Sequence, residues 1–244
     1  MRSVDEVSAS RPAVFFDLGN TLAAYYNSSE FQPILRQAIA CVAEELGREG
    51  VRSVNLDSAI AGATLENREA DDYRFMPMSE RLSRIFGLDF ETTGGLDWRL
   101  CRAFLAPIFA LGRLYEDSLE ALEVLRRQGF ATGIVSNAPW GSPPDLWRGE
   151  LARLGLSAAV DCVVFCGDVG WRKPAPEIFQ FAAERLGVSC SHSAFVGDDI
   201  KWDIQGSEAV GMRAVLIDRD NRHPEYNGNR ILQLRGIEEL LSDV

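Results

Sequence analysis

Four places in the sequence set chemically capable residues directly after a short apolar run. Ala13–Phe16 is followed by Asp17 and then by Gly19-Asn20-Thr21. The run 131–135 is followed by Ser136-Asn137, and Cys162–Phe165 by a loop leading to Lys173-Pro174. The run 194–196 is followed by Gly197-Asp198-Asp199, with Asp203 shortly after. A carboxylate at the end of a buried run is costly unless it has a partner or a task. Several carboxylates held together repel and call for a cation. An all-oxygen set suits magnesium, a hard ion that uses one or two carboxylates and keeps several waters. Magnesium beside a carboxylate nucleophile suits phosphoryl transfer, where positioning and charge neutralisation dominate. Ser136 and the backbone N–H groups beside it suit a phosphate, and Lys173 offers a compact positive charge.

Each of these residues has an ordinary use when taken alone. Asp17 is a common turn residue, Ser136-Asn137 a common loop start, and Gly197-Asp198-Asp199 a turn leading into a helix that favours acids. Lys173 by itself reads as a surface lysine. What shifts the balance is their order, since the ordinary use must be invoked at four successive strand ends.

The elements that must position these groups are a set of short strands. The runs Ala13–Phe16, 131–135, Cys162–Phe165, 194–196 and 214–217 are rich in Val, Ile, Phe and Ala and are apolar throughout rather than alternating. That pattern predicts burial on both faces, as in a parallel sheet. Helical patterns separate them over 117–128, 145–154, Pro176–Leu186 and 203–210, each followed by glycine. In the first, Leu119, Leu122 and Leu125 are expected on one face. Alternating strands and helices predict a doubly wound parallel α/β sheet, Rossmann-like, with ligands at the carboxyl ends of its strands. All four polar clusters then share one edge. Residues 25–111 contain no convincing strand. Helical stretches are expected at 30–48, 56–75, 79–86 and 98–111, with Ser28 and Ser29 capping the first. This all-helical insertion, 25–111, splits a core formed by 1–24 and 112–244.

Bulk properties narrow the class. The chain has 244 residues, 46% hydrophobic and 25% charged, and a net charge of -11. That balance argues against nucleic acid as the main partner and against anionic membranes, while leaving room for a locally positive site. No apolar run reaches the roughly 18 residues of a membrane span. The opening M-R-S-V-D-E-V-S-A-S-R-P carries acids and lacks an apolar centre, and is expected to be a flexible lead-in. Five scattered cysteines without a C-x-x-C pair point to a reduced, cytoplasmic chain. With only two histidines, a histidine-rich zinc site is not expected.

Four pieces, in order, resemble the haloacid dehalogenase superfamily: F-F-D-L-G-N-T-L, I-V-S-N, R-K-P-A-P-E-I-F and V-G-D-D-I-K-W-D-I-Q-G-S-E-A-V-G-M. The resemblance covers the sheet core, and the insertion resembles the family's helical cap in its placement. It implies that Asp17 is the nucleophile and forms an aspartyl-phosphate. It implies a magnesium site made by the Asp17 carboxylate, the Gly19 backbone carbonyl and Asp198, supported from behind by Asp203 with Asp199 assisting. Ser136, Asn137 and Thr21 would serve the phosphate, Thr21 by bracing the loop, and Lys173 would neutralise charge. Metal-independent dehalogenases of the superfamily typically lack the acidic Gly-Asp pair, so Gly197-Asp198-Asp199 and Asp203 favour phosphate chemistry.

One position departs from the family's phosphatases. They usually carry a second Asp two residues after the nucleophile, which protonates the leaving group and then activates water. Here that residue is Gly19, and Asn20 cannot titrate in its place. General acid–base help is typically worth about 10²–10⁴-fold. The leading expectation is therefore a slow or atypical magnesium-dependent phosphatase acting on a small phosphomonoester. A phosphotransferase, a catalytically weak phosphate-binding protein and a metal-independent 2-haloacid dehalogenase are the alternatives. Trp140, Trp171, Trp202, Tyr25 and Tyr26 lie near the motifs, either as an aromatic rim to the site or, the favoured expectation, as packing between core and insertion. Arg68, Arg74, Arg81 and Arg84 lie among acids and are expected on a solvated helix face.

Overall fold

The computed structural model describes residues 11–27, 29–50, 54–89 and 95–241. The expected lead-in and the Ser28 cap fall outside these residues. Six strands form one parallel sheet: β1 (Ala13–Phe16), β4 (Ala131–Ser136), β5 (Cys162–Phe165), β6 (Ser193–Gly197), β7 (Arg213–Ile217) and β8 (Arg230–Ile231). Their order is β5-β4-β1-β6-β7-β8. The chain builds outward from β1 through β4 to β5, then returns to the other side of β1 with β6. The strand order reverses at β1, the kind of place where open sheets of this type bind ligands. Every residue of β1, β4 and β6 is buried, which explains their unbroken apolar character.

Short β2 (Ala23–Ala24) and β3 (Arg113–Leu114) pair antiparallel. They carry the chain out to a helical layer and back. That layer holds α1 (Phe31–Arg48), α2 (Leu56–Glu66), α3 (Met78–Phe86) and α4 (Leu96–Leu111). In α1, Ile34, Leu35, Ala38, Ile39, Val42 and Leu46 form one buried stripe at helical spacing, packed with α4. One hydrophobic cluster runs from the sheet into this layer. The remaining helices include α5 (Ser118–Arg127), α6 (Pro144–Arg153), α7 (Cys166–Val169) and α8 (Pro176–Leu186), and α5 and α8 both pack on β4.

Several local expectations are corrected. The helix expected over 56–75 stops at Glu66. Arg81 of α3 returns to bond the carbonyls of Glu66 and Arg68, satisfying acceptors at the end of α2. Arg81 is therefore fully buried, not on a solvated face. Beyond the break, Arg74 pairs in an isolated bridge with Trp171, Arg172 N donates to Tyr73 O (2.8 Å), and Phe75 N donates to Gly170 O (3.0 Å). Ser29 does not cap α1: the residue before that helix is Glu30, and Ser29 Oγ bonds Asn27 Oδ1 (2.5 Å) instead. In α5 the buried face is Ser118, Ala121, Leu122 and Leu125, and Leu119 is 42% exposed. The helix expected from Asp203 begins earlier, as a π-helical turn Ile200–Gln205 running into α9 (Gly206–Ala209). The Asp199 carboxylate starts it by accepting from Lys201 N (2.8 Å) and Trp202 N (2.9 Å).

Candidate active site

Asp17 follows β1, and its N–H donates to Val196 O of β6 at 2.9 Å, fixing it between the two central strands. Lys173 reaches it from the loop after α7. Its ammonium lies 2.6 Å from Asp17 Oδ1 and 2.6 Å from Asp203 Oδ1, and the side chain is 2% exposed. Burial disfavours its charge, but Asp17 and Asp203 outweigh this and hold its pKa above the ordinary lysine value. Asn137 grips the backbone of this lysine from both sides, accepting from Lys173 N (2.8 Å) and donating to Lys173 O (3.1 Å). Asn137 lines the cavity, but its amide is engaged in placing Lys173.

Asp203 is held in turn by Asp199 N, which donates to its Oδ2 at 3.0 Å. Asp17, Asp198 and Asp203 each place a carboxylate oxygen within 4.8 Å of the others. Burial first, then repulsion from Asp17 and Asp203, pushes the Asp198 carboxyl up to about 7. Burial, only partly offset by Lys173, likewise raises Asp203. Three crowded acids with Lys173, and with the half-exposed Arg222 3.4 Å from Asp198 Oδ2, still leave an excess of negative charge that a divalent cation offsets. The donors are all oxygen and hard, so the residues present fit magnesium. Asp17, Asp198 and the backbone of Gly19 would hold it.

A cavity of about 390 Å³ opens over this cluster. Asp17, Gly19, Ser136, Asn137, Lys173, Asp198, Asp199 and Asp203 all line it. Thr21 does not. It is fully buried, its Oγ1 has no hydrogen-bond partner, and its carbonyl accepts from Arg219 Nη2 at 2.8 Å. Its side chain lies in the core and its backbone carbonyl is anchored by Arg219, a position from which it would brace the nucleophile loop. At Gly19 the backbone is unstrained, and a Cβ built there meets nothing within 4 Å.

Aromatic residues from the core and from the insertion complete the cavity wall. Trp140, Trp202, Tyr25 and Tyr26 line it. Trp140 is buried, tilts against Phe104 with ring centres 5.0 Å apart, and donates to Asn67 Oδ1 at 3.0 Å, so it also packs core against layer. Trp171 lies outside the cavity lining and is covered by the Arg74 guanidinium, 4.3 Å from its ring centre. Lining residues that the sequence did not single out include Glu69, Trp147 and Arg172. Arg172 sits in the R-K-P run beside Lys173, which was a usable signal. Glu69 falls within a stretch that reads as helix surface.

The fold, with this cluster at the carboxyl edge of its sheet, is that of an α/β enzyme. Residues 12–211 match the haloacid dehalogenase-like hydrolases, and the chain belongs to that family. It is 31% identical over 242 residues to a glyceraldehyde 3-phosphate phosphatase of Methanothermobacter thermautotrophicus, covering 93% of this chain and 97% of that one. It is 35% identical over 113 residues to (S)-2-haloacid dehalogenase 1 of a Pseudomonas species, covering 46% and 48%. Some curated relatives are thus matched over only about half to two thirds of their length. Among solved structures, a HAD phosphatase from Thermococcus onnurineus superposes with a TM-score of 0.63 at 27% identity, covering 94% of this chain and 97% of that one.

Proposed function

We propose that this protein is a magnesium-dependent phosphatase for a small phosphomonoester, with Asp17 as nucleophile and residues 25–111 as a cap over the sheet edge. The observation that carries the reading is the buried Lys173 bridging Asp17 and Asp203 beside Asp198. An ordinary structural ion pair does not need three acids and a lysine facing a cavity.

Bound magnesium supplies charge neutralisation for the phosphate and the attacking carboxylate. Lys173 holds Asp17 Oδ1 in place, leaving the other carboxylate oxygen to attack phosphorus. The P–O bond to the leaving group breaks, and an aspartyl-phosphate forms. Ser136 and the backbone beside it receive the phosphate oxygens. The leaving oxygen takes its proton from solvent, because Gly19 carries none. Water then attacks the phosphorus of the aspartyl-phosphate and frees phosphate and Asp17. Asp199 and Glu69, the remaining acids of the lining, do not replace the missing shuttle: Asp199 caps the π-helical turn and Glu69 pairs with Arg172.

The relatives named as phosphatases act on small phosphorylated compounds, which agrees with the cavity size. Five free thiols fit a reducing, cytoplasmic setting, and among the described residues no helix is long and apolar enough to cross a membrane. The test is a screen of phosphorylated metabolites with and without magnesium, using Asp17→Asn as the blank. Phosphate release that needs magnesium and vanishes in the blank is expected. Equal release by the blank rejects the nucleophile. A second reading, transfer of the phosphoryl group to another acceptor, is favoured by Gly19 alone, since a phosphoenzyme without a water-activating acid lasts longer. It predicts that added alcohols speed substrate loss without speeding phosphate release. Halide release from a 2-haloacid with EDTA present would instead support the dehalogenase alternative.

A further inference from the structure

Among the described residues lining the cavity, the cations are Lys173 and Arg172. Lys173 is committed to Asp17 and Asp203. Arg172 has one charge partner, Glu69, which it shares with a second arginine. It is 9% exposed, and neither its Nε nor its Nη1 has a hydrogen-bond partner. Nη1 lies 2.5 Å from Glu69 Oε2, close in charge but not aligned as a hydrogen bond. The same Glu69 oxygen accepts from Arg81 Nη2 at 3.2 Å. Two buried guanidiniums therefore share one carboxylate, and positive charge is in surplus at this end of the cavity. Glu66, the next acid, also acts on Arg81 but makes its hydrogen bonds to Arg84, and Lys201 nearby adds a further cation.

A buried guanidinium with unfilled donors is costly, and its planar fork matches a carboxylate or a phosphate. We propose that the substrate carries a second anionic group besides the phosphate at Asp17, a carboxylate or a second phosphate, and that Arg172 receives it. This rests on the phosphatase reading for the position of the first phosphate. Glu69 aims the fork without saturating it. Trp202, whose ring centre is 5.9 Å from the Arg172 guanidinium, closes one side of the subsite.

The test is calorimetric binding to the whole chain, with magnesium present, of three non-hydrolysable probes: propylphosphonate, 3-phosphonopropionate and propane-1,3-bisphosphonate. The two probes with a second anion are expected to bind at least about ten-fold tighter than propylphosphonate. The separate arms tell carboxylate from phosphate. Arg172→Gln is expected to bring that ratio close to one, and Arg172→Lys to keep part of it. Glu69→Gln, which removes the competing carboxylate, is expected to tighten both doubly anionic probes, and it carries the test if Arg172→Gln does not fold. Equal binding of all three probes, a ratio unchanged in Arg172→Gln, or no binding of any probe overturns the proposal. So does an equal loss for all three, which would put Arg172 on the first phosphate. Failure of the phosphatase reading shows separately, as aryl phosphate hydrolysis that is absent or indifferent to Asp17→Asn.

Discussion

Gly197 lies so close to Asp203 that it has no room for a side chain: a Cβ built on Gly197 would fall 2.3 Å from Asp203 Oδ2. Asp203 is the group that, with Asp17, holds the Lys173 ammonium. Gly197→Ala must therefore displace a buried carboxylate. The expected result is a fall in turnover of about 10²-fold, typical of a misplaced catalytic group, and a loss of about 2 kcal/mol of stability. Thermal melts and steady-state kinetics check both. Gly19→Ala is the control. Its Cβ meets nothing, so stability should stay within about 0.5 kcal/mol of wild type. Two equally stable variants would contradict the contact.

Removing the ammonium leaves Asp17 and Asp203 buried without their shared cation. Lys173→Met is expected to cost roughly 3 kcal/mol, the usual loss when one member of a buried ion pair is deleted. Turnover should drop by at least about 10²-fold. Because magnesium offsets the same charges, adding it should raise the melting temperature more in Lys173→Met than in wild type. A magnesium response no larger than that of wild type would place the cation elsewhere.

The open space at Gly19 makes a gain-of-function substitution structurally reasonable. Gly19→Asp should fold normally and restore a titratable group beside the leaving oxygen. Turnover of an alkyl phosphate is expected to rise by about 10²-fold, the lower end of general acid–base effects. An aryl phosphate, whose leaving group needs less protonation, should gain less. No gain with either substrate would show that the missing acid is not what limits the rate.

Asp117 braces the nucleophile loop from outside the site. It accepts from Arg219 Nη1 (3.1 Å) and Nη2 (2.9 Å) and from Leu234 N (2.7 Å), while Arg219 also holds Thr21 O. Burial raises the Asp117 carboxyl, but the Arg219 and Leu234 bonds outweigh it and the pKa ends below the ordinary value. A carboxylate depressed on folding stabilises above its unfolded pKa, and that stability is lost as pH falls through the folded value. Asp117→Asn should therefore be less stable than wild type at neutral pH. The difference should shrink through the acid range below about pH 4. Denaturant titrations across pH check this, and a constant difference would reject it.

The sheet and the acids at its edge were legible in the sequence because each strand is a continuous apolar run that ends on a polar residue. Asp17, Ser136 and Asp198 sit directly beyond β1, at the end of β4 and beyond β6 for that reason. Distant returns of the chain left weaker traces. The residues after Glu66 still favour helix, and what ends α2 is a guanidinium arriving from Arg81, a residue that looks like a surface charge. The alignment of Asp203 on Lys173 depends on a π-helical turn that no period in the sequence marks. Glu69 shows its place only when Arg172 and Arg81 meet it.

The insertion meets the lysine loop through main-chain atoms as well as through the Arg74–Trp171 and Glu69–Arg172 side-chain contacts. Tyr73 O, Phe75 N, Gly170 O and Arg172 N make the bonds, and at Gly141 a Cβ would strike Met76 O at 1.7 Å. The main-chain bonds depend on backbone path and hardly on side-chain identity, while Gly141 must stay without a side chain. The layer's side chains over the cavity are thus free to diversify during evolution while the seam that carries Lys173 keeps its register. Substrate choice and bond-breaking can then drift apart as separate hereditary variables within one chain.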